Sequence, residues 1–268
     1  MHFERAFRSI LPLAVMIVAS GCSTVTAERD WGADVTLRPG WARVREAARD
    51  AVTDPWAWAP LAGAAVLQID HWDRRSSDWA RDHTPIFGSQ RNAEDWSDNL
   101  RTGSLALPLI TLLATPTGDR PNDWLVDKAK AAAVETAAVV ATDLSTAALK
   151  HAADRERPNE HDRKSFPSGH ASTAAVAGRL ASVNLDTIDM DANLKRAANA
   201  GIDAVLLGTG WARVESGWHY PSDALVGMAL GHFFASFFTR SLLQSQDAQP
   251  IAVALTGDGA MLRWQLTF

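Results

Sequence analysis

Three cationic side chains stand in separate segments of a chain that is otherwise slightly acidic, with a formal net charge of −5. Lys150 begins the stretch "KHAADRERP", which also contains Arg157, and Arg213 begins the stretch "RVESGWHYPSD". Arg157 precedes a proline, which biases its backbone toward an extended conformation and presents its side chain from a loop. Three cations that converge on one pocket would suit an anion with several equivalent oxygens, such as phosphate.

A second group of residues lies between these segments, in "FPSGHAS" at 166–172. Ser168 is placed to cap the helix that follows, which would leave the amides of Gly169 and His170 free at a helix N-terminus. Such a terminus favours anions, and a glycine there permits close approach of the backbone. The sequence "FPSGH" lacks the first glycine of a G-x-S-x-G elbow, so Ser168 is not expected to be a hydrolase nucleophile.

A third group pairs a histidine with a carboxylate. His219 lies just before a helix that has Pro221 in its first turn, and Asp223 follows four residues later. One helical turn brings that carboxylate back toward the ring, where it would fix the tautomer and stabilise an imidazolium. A histidine paired with a carboxylate is the better nucleophile or base, whereas His170 at a helix N-terminus is the better proton donor.

Each group alone is common in proteins, but their order and spacing are specific. Together "KHAADRERP", "PSGH" and "RVESGWHYPSD" resemble the three-part signature of the type 2 phosphatidic acid phosphatase and vanadium haloperoxidase superfamily. The resemblance spans residues 150–223, and it implies an all-α helical bundle. One position departs from the family pattern, because Ala212 stands where the third motif usually has serine. We expect activity to survive this change, since that serine is not the reacting group.

The resemblance also implies a mechanism and a role for each residue. His219 attacks phosphorus and forms a phosphohistidine, and Asp223 holds its ring. His170 protonates the leaving alkoxide and then activates water. The expected phosphate-binding groups are Lys150, Arg157, Ser168, Gly169 and Arg213. With so many cationic donors no metal or other cofactor is expected.

Three functions remain open at this stage. The first is an acid phosphatase or lipid phosphate phosphatase acting on a phosphorylated lipid or a small phosphomonoester. The second is a vanadium-dependent haloperoxidase, in which vanadate would be held through His219. The third is a non-catalytic envelope lipoprotein with a degenerate site. The low net charge gives no sign of nucleic-acid binding.

Helices must position these residues, because apolar residues recur at helical spacing from about Trp56 onward. By contrast, the charged segment "DHWDRRSSDWARDH" at 70–83 is expected to be a solvated loop anchored by tryptophans, and a rim over the site is the alternative. Residues 250–268 alternate between apolar and polar side chains around "TGDGA", which predicts a β-hairpin. Its apolar face would contain Ile251, Val253, Leu255, Leu262, Trp264, Leu266 and Phe268. The candidate helices are 57–71, 95–115, 121–150, 169–184, 191–210 and 221–243.

The N-terminus has the layout of a bacterial export signal: two arginines, then the apolar run "SILPLAVMIVAS", then small residues. The stretch "VASGC" resembles a lipobox, which would make Cys22 the lipidated first residue of the mature protein. Cys22 is the only cysteine in the chain and therefore has no disulfide partner within it. Ordinary secretory cleavage after Ala27 is the alternative. Ser23 favours delivery to the outer membrane, facing the periplasm.

The predicted organisation has four parts: a lipoprotein signal peptide at 1–21, a tether at 22–54 with at most one short helix, a helical phosphatase domain at 55–245, and a tail with the hairpin at 246–268. The apolar stretches 104–114 and 224–238 are shorter than the roughly 20 residues that a spanning helix needs. The expected architecture is a soluble bundle attached to a membrane by its N-terminal lipid. A protein with several membrane spans is the alternative.

Overall fold

The protein is an all-α bundle, as the sequence predicts, followed by a two-stranded hairpin. The computed structural model describes residues 31–116, 121–243, 251–256 and 259–264. The signal peptide, Cys22 and the alternative cleavage site at Ala27 lie outside the described residues. The helices are α1 (Gly40–Thr53), α2 (Pro55–Val66), α3 (Trp72–His83), α4 (Gln90–Ser104), α5 (Ala106–Ala114), α6 (Pro121–Ala153), α7 (Gly169–Asp186), α8 (Ala192–Glu215) and α9 (Pro221–Phe238).

Helices α7 and α9 form the centre of the bundle. A Cβ atom added at Gly227 of α9 would lie 2.4 Å from the carbonyl oxygen of Ser168, and one at Gly231 would lie 2.3 Å from that of Ser172. These two glycines therefore let α9 approach the backbone of the first turns of α7. The approach sets the beginning of α9, which carries Asp223, beside the beginning of α7, which carries Ser168 and His170.

The other helices surround this pair. Helix α6 packs on both α7 and α9 through a core that includes Ala138, Val176, Leu180 and Ala235. Helix α8 packs on α7, and α4 packs on α8, while α5 covers the far end of α7. Helices α1 and α2 lie against α9. In this arrangement the last turns of α6 and α8 and the first turns of α7 and α9 meet at one end of the bundle.

A buried ionic network fastens the N-terminal helices to α7 and α9. Asp54 caps α2 by accepting from the amide of Trp56, and its carboxylate lies 3.2 Å from His232 Nε2 and 3.7 Å from Arg179. Arg240 adds contacts to Asp54 at 3.9 Å and to Asp50 at 3.0 Å. Burial alone would raise the pKa of Asp54, but His232 and Arg179 outweigh it and lower that pKa to about 2.

The observed secondary structure differs from the predicted one in three segments. The candidate helix 95–115 is two helices, α4 and α5, separated at Leu105. The prediction of a loop at 70–83 is wrong, because the chain forms a short 3₁₀ turn, Ile69–His71, and then α3. Its Asp73 is buried and accepts the backbone amide of Ser222 at 2.8 Å. The segment predicted as a tether contains α1, and its Trp31 is buried beside Leu112, Ala131 and Val134.

The hairpin has the predicted alternation. Strands β1 (Ile251–Thr256) and β2 (Gly259–Trp264) are antiparallel, and Ile251 pairs with Trp264 while Val253 pairs with Leu262. Directly opposed residues share a face, so these four positions lie on the same side of the ribbon. Leu266 and Phe268 lie outside the described residues.

Candidate active site

The three motifs converge at the end of the bundle where four helices begin or end. Lys150 lies in the last turn of α6, Arg157 lies in the following loop, and Arg213 lies in the last turn of α8. Ser168 caps α7 by accepting from the amide of Ala171 at 3.4 Å. Its own amide donates to the carbonyl of Asp223 at 2.9 Å, which joins the starts of α7 and α9.

His219 is buried in a defined tautomer. Its Nδ1 lies 2.5 Å from the backbone carbonyl of Ser165, and a carbonyl can only accept, so Nδ1 carries the proton. Its Nε2 lies 3.3 Å from Nη1 of Arg157, which can only donate, so Nε2 carries the lone pair. Burial, aided by Arg213 and Lys150, lowers the pKa of His219 to about 3. The ring is therefore neutral at pH 7, with a nucleophilic nitrogen among cations.

Asp223 lies near His219, but its hydrogen bonds go elsewhere. Its Oδ2 is 3.8 Å from Nδ1 of His219, and the ring donates instead to the carbonyl of Ser165. The carboxylate accepts from the hydroxyl of Ser165 at 2.5 Å and from the amide of Tyr220 at 2.8 Å. Ser165 thus stands between the carboxylate and the ring, holding the ring with its backbone and Asp223 with its side chain. The sequence predicts direct contact, and the structure replaces it with this bridge.

Arg155 forms an ion pair with the carboxylate of Asp223. Its guanidinium donates to Asp223 at 2.7 Å and to Asp73 of α3 at 2.7 Å. Burial alone would raise the pKa of Asp223, but His219 and Arg155 outweigh it and keep the pKa below its ordinary value. Asp223 therefore stays ionised beside the ring, where it can stabilise an imidazolium.

Two of the cations have no carboxylate partner within the described part of the chain. Lys150 donates to the backbone carbonyls of Lys164 and Pro167, each at 2.7 Å. Arg213 donates to the hydroxyl of Ser97 at 3.2 Å, and its Nε is buried with no partner among the described residues. Burial and the nearby Arg157 lower the pKa of Lys150 to about 8, and burial lowers the pKa of Arg213 to about 10.

Trp218 contacts both arginines of the pocket. The guanidinium carbons of Arg157 and Arg213 lie 4.8 Å and 5.0 Å from the centre of its ring. Arg157 is held further by Asp162 at 2.6 Å and by the carbonyl of Trp218 at 2.9 Å. The chain reaches this position through a turn at Gly217, whose φ of +75° favours glycine. The result is a rigid pair of cations directed at the space beside His219.

His170 lies at the start of α7 and contacts a residue that the motifs do not include. Its Nε2 lies 2.6 Å from Oδ1 of Asp98 on α4, and because a carboxylate only accepts, Nε2 carries the proton. Burial, and then the charge of Arg213, lower the pKa of His170 to about 4, while Asp98 opposes both. The Asp98 contact leaves Nδ1 as the ring nitrogen that can exchange a proton with a ligand.

Gly169 and Ala212 complete the set of predicted positions. A Cβ atom at Gly169 would lie 4.0 Å from Cε of Lys150, so the glycine keeps the first amides of α7 accessible beside that cation. Ala212 is fully buried in α8 and presents a methyl group where the family pattern has a hydroxyl. The structure thus brings all eight predicted catalytic and phosphate-binding residues to one end of the bundle.

Four contributors are not apparent from the sequence. Asp98 and Asp73 come from helices outside the three motifs, and Ser165 acts partly through a backbone carbonyl. Arg155 stands inside "KHAADRERP", but nothing in that string separates it from the other charged residues. The sequence feature that could have pointed to Arg155 and Asp73 is the high density of charged residues in that string and in 70–83.

Comparison with known proteins agrees with the geometry. Residues 120–247 match the family model of the PAP2 superfamily. A search of curated proteins and a search of solved structures found no match. The matched range begins at α6, ends after α9, and contains all three motifs of the pocket. The match supports the resemblance of residues 120–247 to the PAP2 superfamily, and it suggests a hydrolase of phosphate esters.

Proposed function

We propose that this chain is a metal-independent phosphatase that hydrolyses phosphate monoesters through a phosphohistidine, with lipid phosphates of the bacterial envelope as substrates. The environment of His219 carries the proposal. Its lone-pair nitrogen lies 3.3 Å from Arg157 and in the electrostatic field of Lys150 and Arg213. Two of these cations lack a carboxylate partner in the described part of the chain, so a phosphate dianion supplies the missing charge.

In the first step Nε2 of His219 attacks phosphorus in line, and the ester P–O bond breaks as the P–N bond forms. The ring keeps its proton on Nδ1, held by the carbonyl of Ser165, and becomes positively charged. Asp223, ionised and 3.8 Å away, stabilises that charge. The leaving oxygen takes a proton from His170 and departs as an alcohol.

His170 must be protonated to act as this acid. Its pKa is about 4 in the ligand-free pocket, and a phosphate dianion beside it raises that pKa because an opposite charge favours the imidazolium. Substrate binding therefore favours protonation of His170, which can then act as the general acid. In the second step neutral His170 takes a proton from water as the water attacks phosphorus, and the P–N bond breaks to release phosphate and neutral His219.

Lys150, Arg157, Arg213 and the amide of Gly169 bind the equatorial oxygens in both steps. Their charges neutralise the negative charge that develops on these oxygens, which is the role of the metal ion in metal-assisted phosphatases. The proposed location of the protein in the bacterial envelope rests on the export signal and on Cys22. Lipidation of Cys22 would attach the enzyme to a membrane, and Ser23 favours the outer membrane. Mass spectrometry of the mature N-terminus tests this inference from the sequence.

The test is an assay of the purified protein with p-nitrophenyl phosphate and with phosphatidic acid. We expect hydrolysis that resists EDTA, is blocked by vanadate and is absent in His219→Ala. His232→Ala is the matched control, because it removes a buried histidine that is also near a carboxylate but lies outside the pocket. Hydrolysis that requires an added metal, or halide oxidation in place of hydrolysis, would contradict the proposal.

A further inference from the structure

Helix α6 buries charged side chains and exposes apolar ones, which is the reverse of an ordinary surface helix. Three of its charged residues, Asp127, Lys128 and Glu135, are buried, each no more than 6% exposed, while the side chain of Lys130 is partly exposed and pairs with Asp127 at 3.0 Å. The residues it exposes between 124 and 149, which we call the outer face of α6, include a single charge, Asp143. They are Trp124, Leu125, Val126, Ala129, Ala133, Thr136, Val140, Asp143, Leu144, Ala147, Ala148 and Leu149.

The buried polar groups of α6 have partners inside the bundle. Lys128 donates to the carbonyl of Thr115 at 2.6 Å, and Glu135 accepts from the amide of Asn184 at 2.8 Å. Burial raises the pKa of Glu135 to about 8. The polar groups on the inner side of α6 therefore have hydrogen-bond partners within the protein, and the apolar outer face is exposed.

The outer face is large and strongly exposed. Leu144 is 67% exposed, Leu125 is 64% and Val140 is 49%. In the neighbouring helix α5 and at its N-cap, Leu105, Leu109 and Leu113 are also exposed, at intervals of four residues. A largely apolar surface of this size marks a contact with a membrane or another protein. By length and composition α6 could cross a membrane, and only 28% of its apolar window is buried.

The position of the N-terminus decides between these contacts. The amide of Trp31 donates to the carbonyl of Pro116 at 3.1 Å, at the junction of α5 and α6. Cys22 precedes Trp31 by nine residues, which span at most about 30 Å. A lipid on Cys22 would thus hold a bilayer close to the end of α6 where the outer face begins.

We propose that the outer face of α6, together with the exposed leucines of α5, docks on the surface of a phospholipid bilayer. The helix lies in the plane of the interface with its apolar side toward the acyl chains. From Trp124 the face runs about 40 Å along the helix and ends beside Lys150 of the pocket. Docking in this orientation keeps the phosphate pocket beside the lipid headgroups. This consequence rests on the proposed phosphatase function.

The test uses the full chain with Cys22→Ser, so that no lipid anchor contributes. Vesicles of phosphatidylethanolamine and phosphatidylglycerol with phosphatidic acid serve as the membrane. We expect the additional pair Val140→Lys and Leu144→Lys to weaken vesicle partitioning at least about tenfold. Leu207→Lys is the control, because Leu207 is as exposed as Val140 but lies on α8. It should partition as the parent does.

Activity gives a second readout of the same variants. The lysine pair should slow hydrolysis of phosphatidic acid in vesicles by a similar factor and leave hydrolysis of p-nitrophenyl phosphate unchanged. Equal partitioning of the parent and the lysine pair would overturn the docking surface. If no protein hydrolyses either substrate while the difference in partitioning remains, the phosphatase proposal fails and the docking surface stands.

A labelling experiment avoids any dependence on loss of binding. Cys22→Ser removes the only cysteine of the chain, so Val140→Cys can carry a polarity-sensitive fluorophore, with Leu207→Cys as the control. We expect vesicles to shift the emission at position 140 to the blue and to leave position 207 unchanged. Emission at position 140 that is already blue without vesicles would mean that protein covers the face, and it would overturn the proposal.

Discussion

Two buried histidines of this protein lie near carboxylates, and their surroundings differ in one respect. His219 is 3.8 Å from Asp223 and His232 is 3.2 Å from Asp54. Around His232 the arginines 179 and 240 face the carboxylates of Asp50 and Asp54, so positive and negative charges offset each other. Around His219 the cations Lys150 and Arg213 face no carboxylate of the described residues within ion-pair distance.

This difference favours the cluster around His219 as the functional one. Around His232 the opposite charges offset each other, and the network stabilises the packing of α1 and α2 on α9. A cluster with excess positive charge is costly in the free protein and gains a partner when an anion binds. Histidine and aspartate at short range are common to both clusters, so charge balance distinguishes them better than the pair itself.

The largest expected effect comes from removing each histidine in turn. His219→Ala should lower kcat by about 10⁴-fold or more, because the nucleophile is lost. His232→Ala should leave kcat within about twofold and lower the free energy of unfolding by roughly 2 kcal/mol, since Asp54 loses a buried neighbour. Steady-state assays and denaturant titrations measure both. Loss of activity in His232→Ala, with the fold intact, would break the distinction.

The arginines sharpen the comparison because the two clusters should respond in opposite directions. Arg213→Met should lower kcat/KM by about 10²-fold and raise the free energy of unfolding by about 1 kcal/mol, because an unpaired buried cation is removed. Arg179→Met should leave kcat/KM unchanged and lower the free energy of unfolding by roughly 3 kcal/mol, because buried Asp54 loses a partner. Stabilities that fall equally in both variants would argue against an excess of charge in the pocket.

Asp98 tests whether the pocket extends beyond the three motifs. Asp98 raises the pKa of His170, so Asp98→Asn should lower that pKa. The alkaline limb of the kcat profile should then move to lower pH, and kcat at pH 7 should fall about tenfold. Asp95→Asn on the same helix is the control. An unchanged pH profile in Asp98→Asn would leave Asp98 with a structural role only.

The smallest effect is a change in pH dependence at Lys150. Its pKa of about 8 lies below its ordinary value, so the side chain is charged below that pH and neutral above it. The logarithm of kcat/KM should therefore bend downward near pH 8, since kcat/KM reports groups of the free enzyme. Lys150→Arg stays charged and should remove this bend. A bend that persists in the arginine variant would belong to another group.

The sequence alone selects the residues that the structure brings together, because they stand in short strings of specific order and spacing. Lys150, Arg157, His170, Arg213 and His219 each fall in a segment whose order and spacing indicate phosphate chemistry. The resemblance implies the all-α architecture, and the recurrence of apolar residues at helical spacing from about Trp56 onward agrees with it. These parts of the account need no tertiary information.

The remaining features depend on contacts between distant segments. Asp98 approaches His170 across 72 residues, and Asp73 approaches Ser222 across 149. Ser165 orients His219 with a backbone carbonyl, which any residue type has. The exposed side of α6 could not be predicted either, because an apolar face with charges opposite normally packs inward, and here it faces out.

The phosphohistidine is the central claim, and rapid quenching tests it directly. Mixing the enzyme with ³²P-labelled substrate and quenching in alkali should trap label on the protein, stable to base and released by acid. Peptide mapping should place it on His219, and His219→Ala should carry none. Turnover of substrate by an enzyme that never carries label, or label that persists in His219→Ala, would contradict the account.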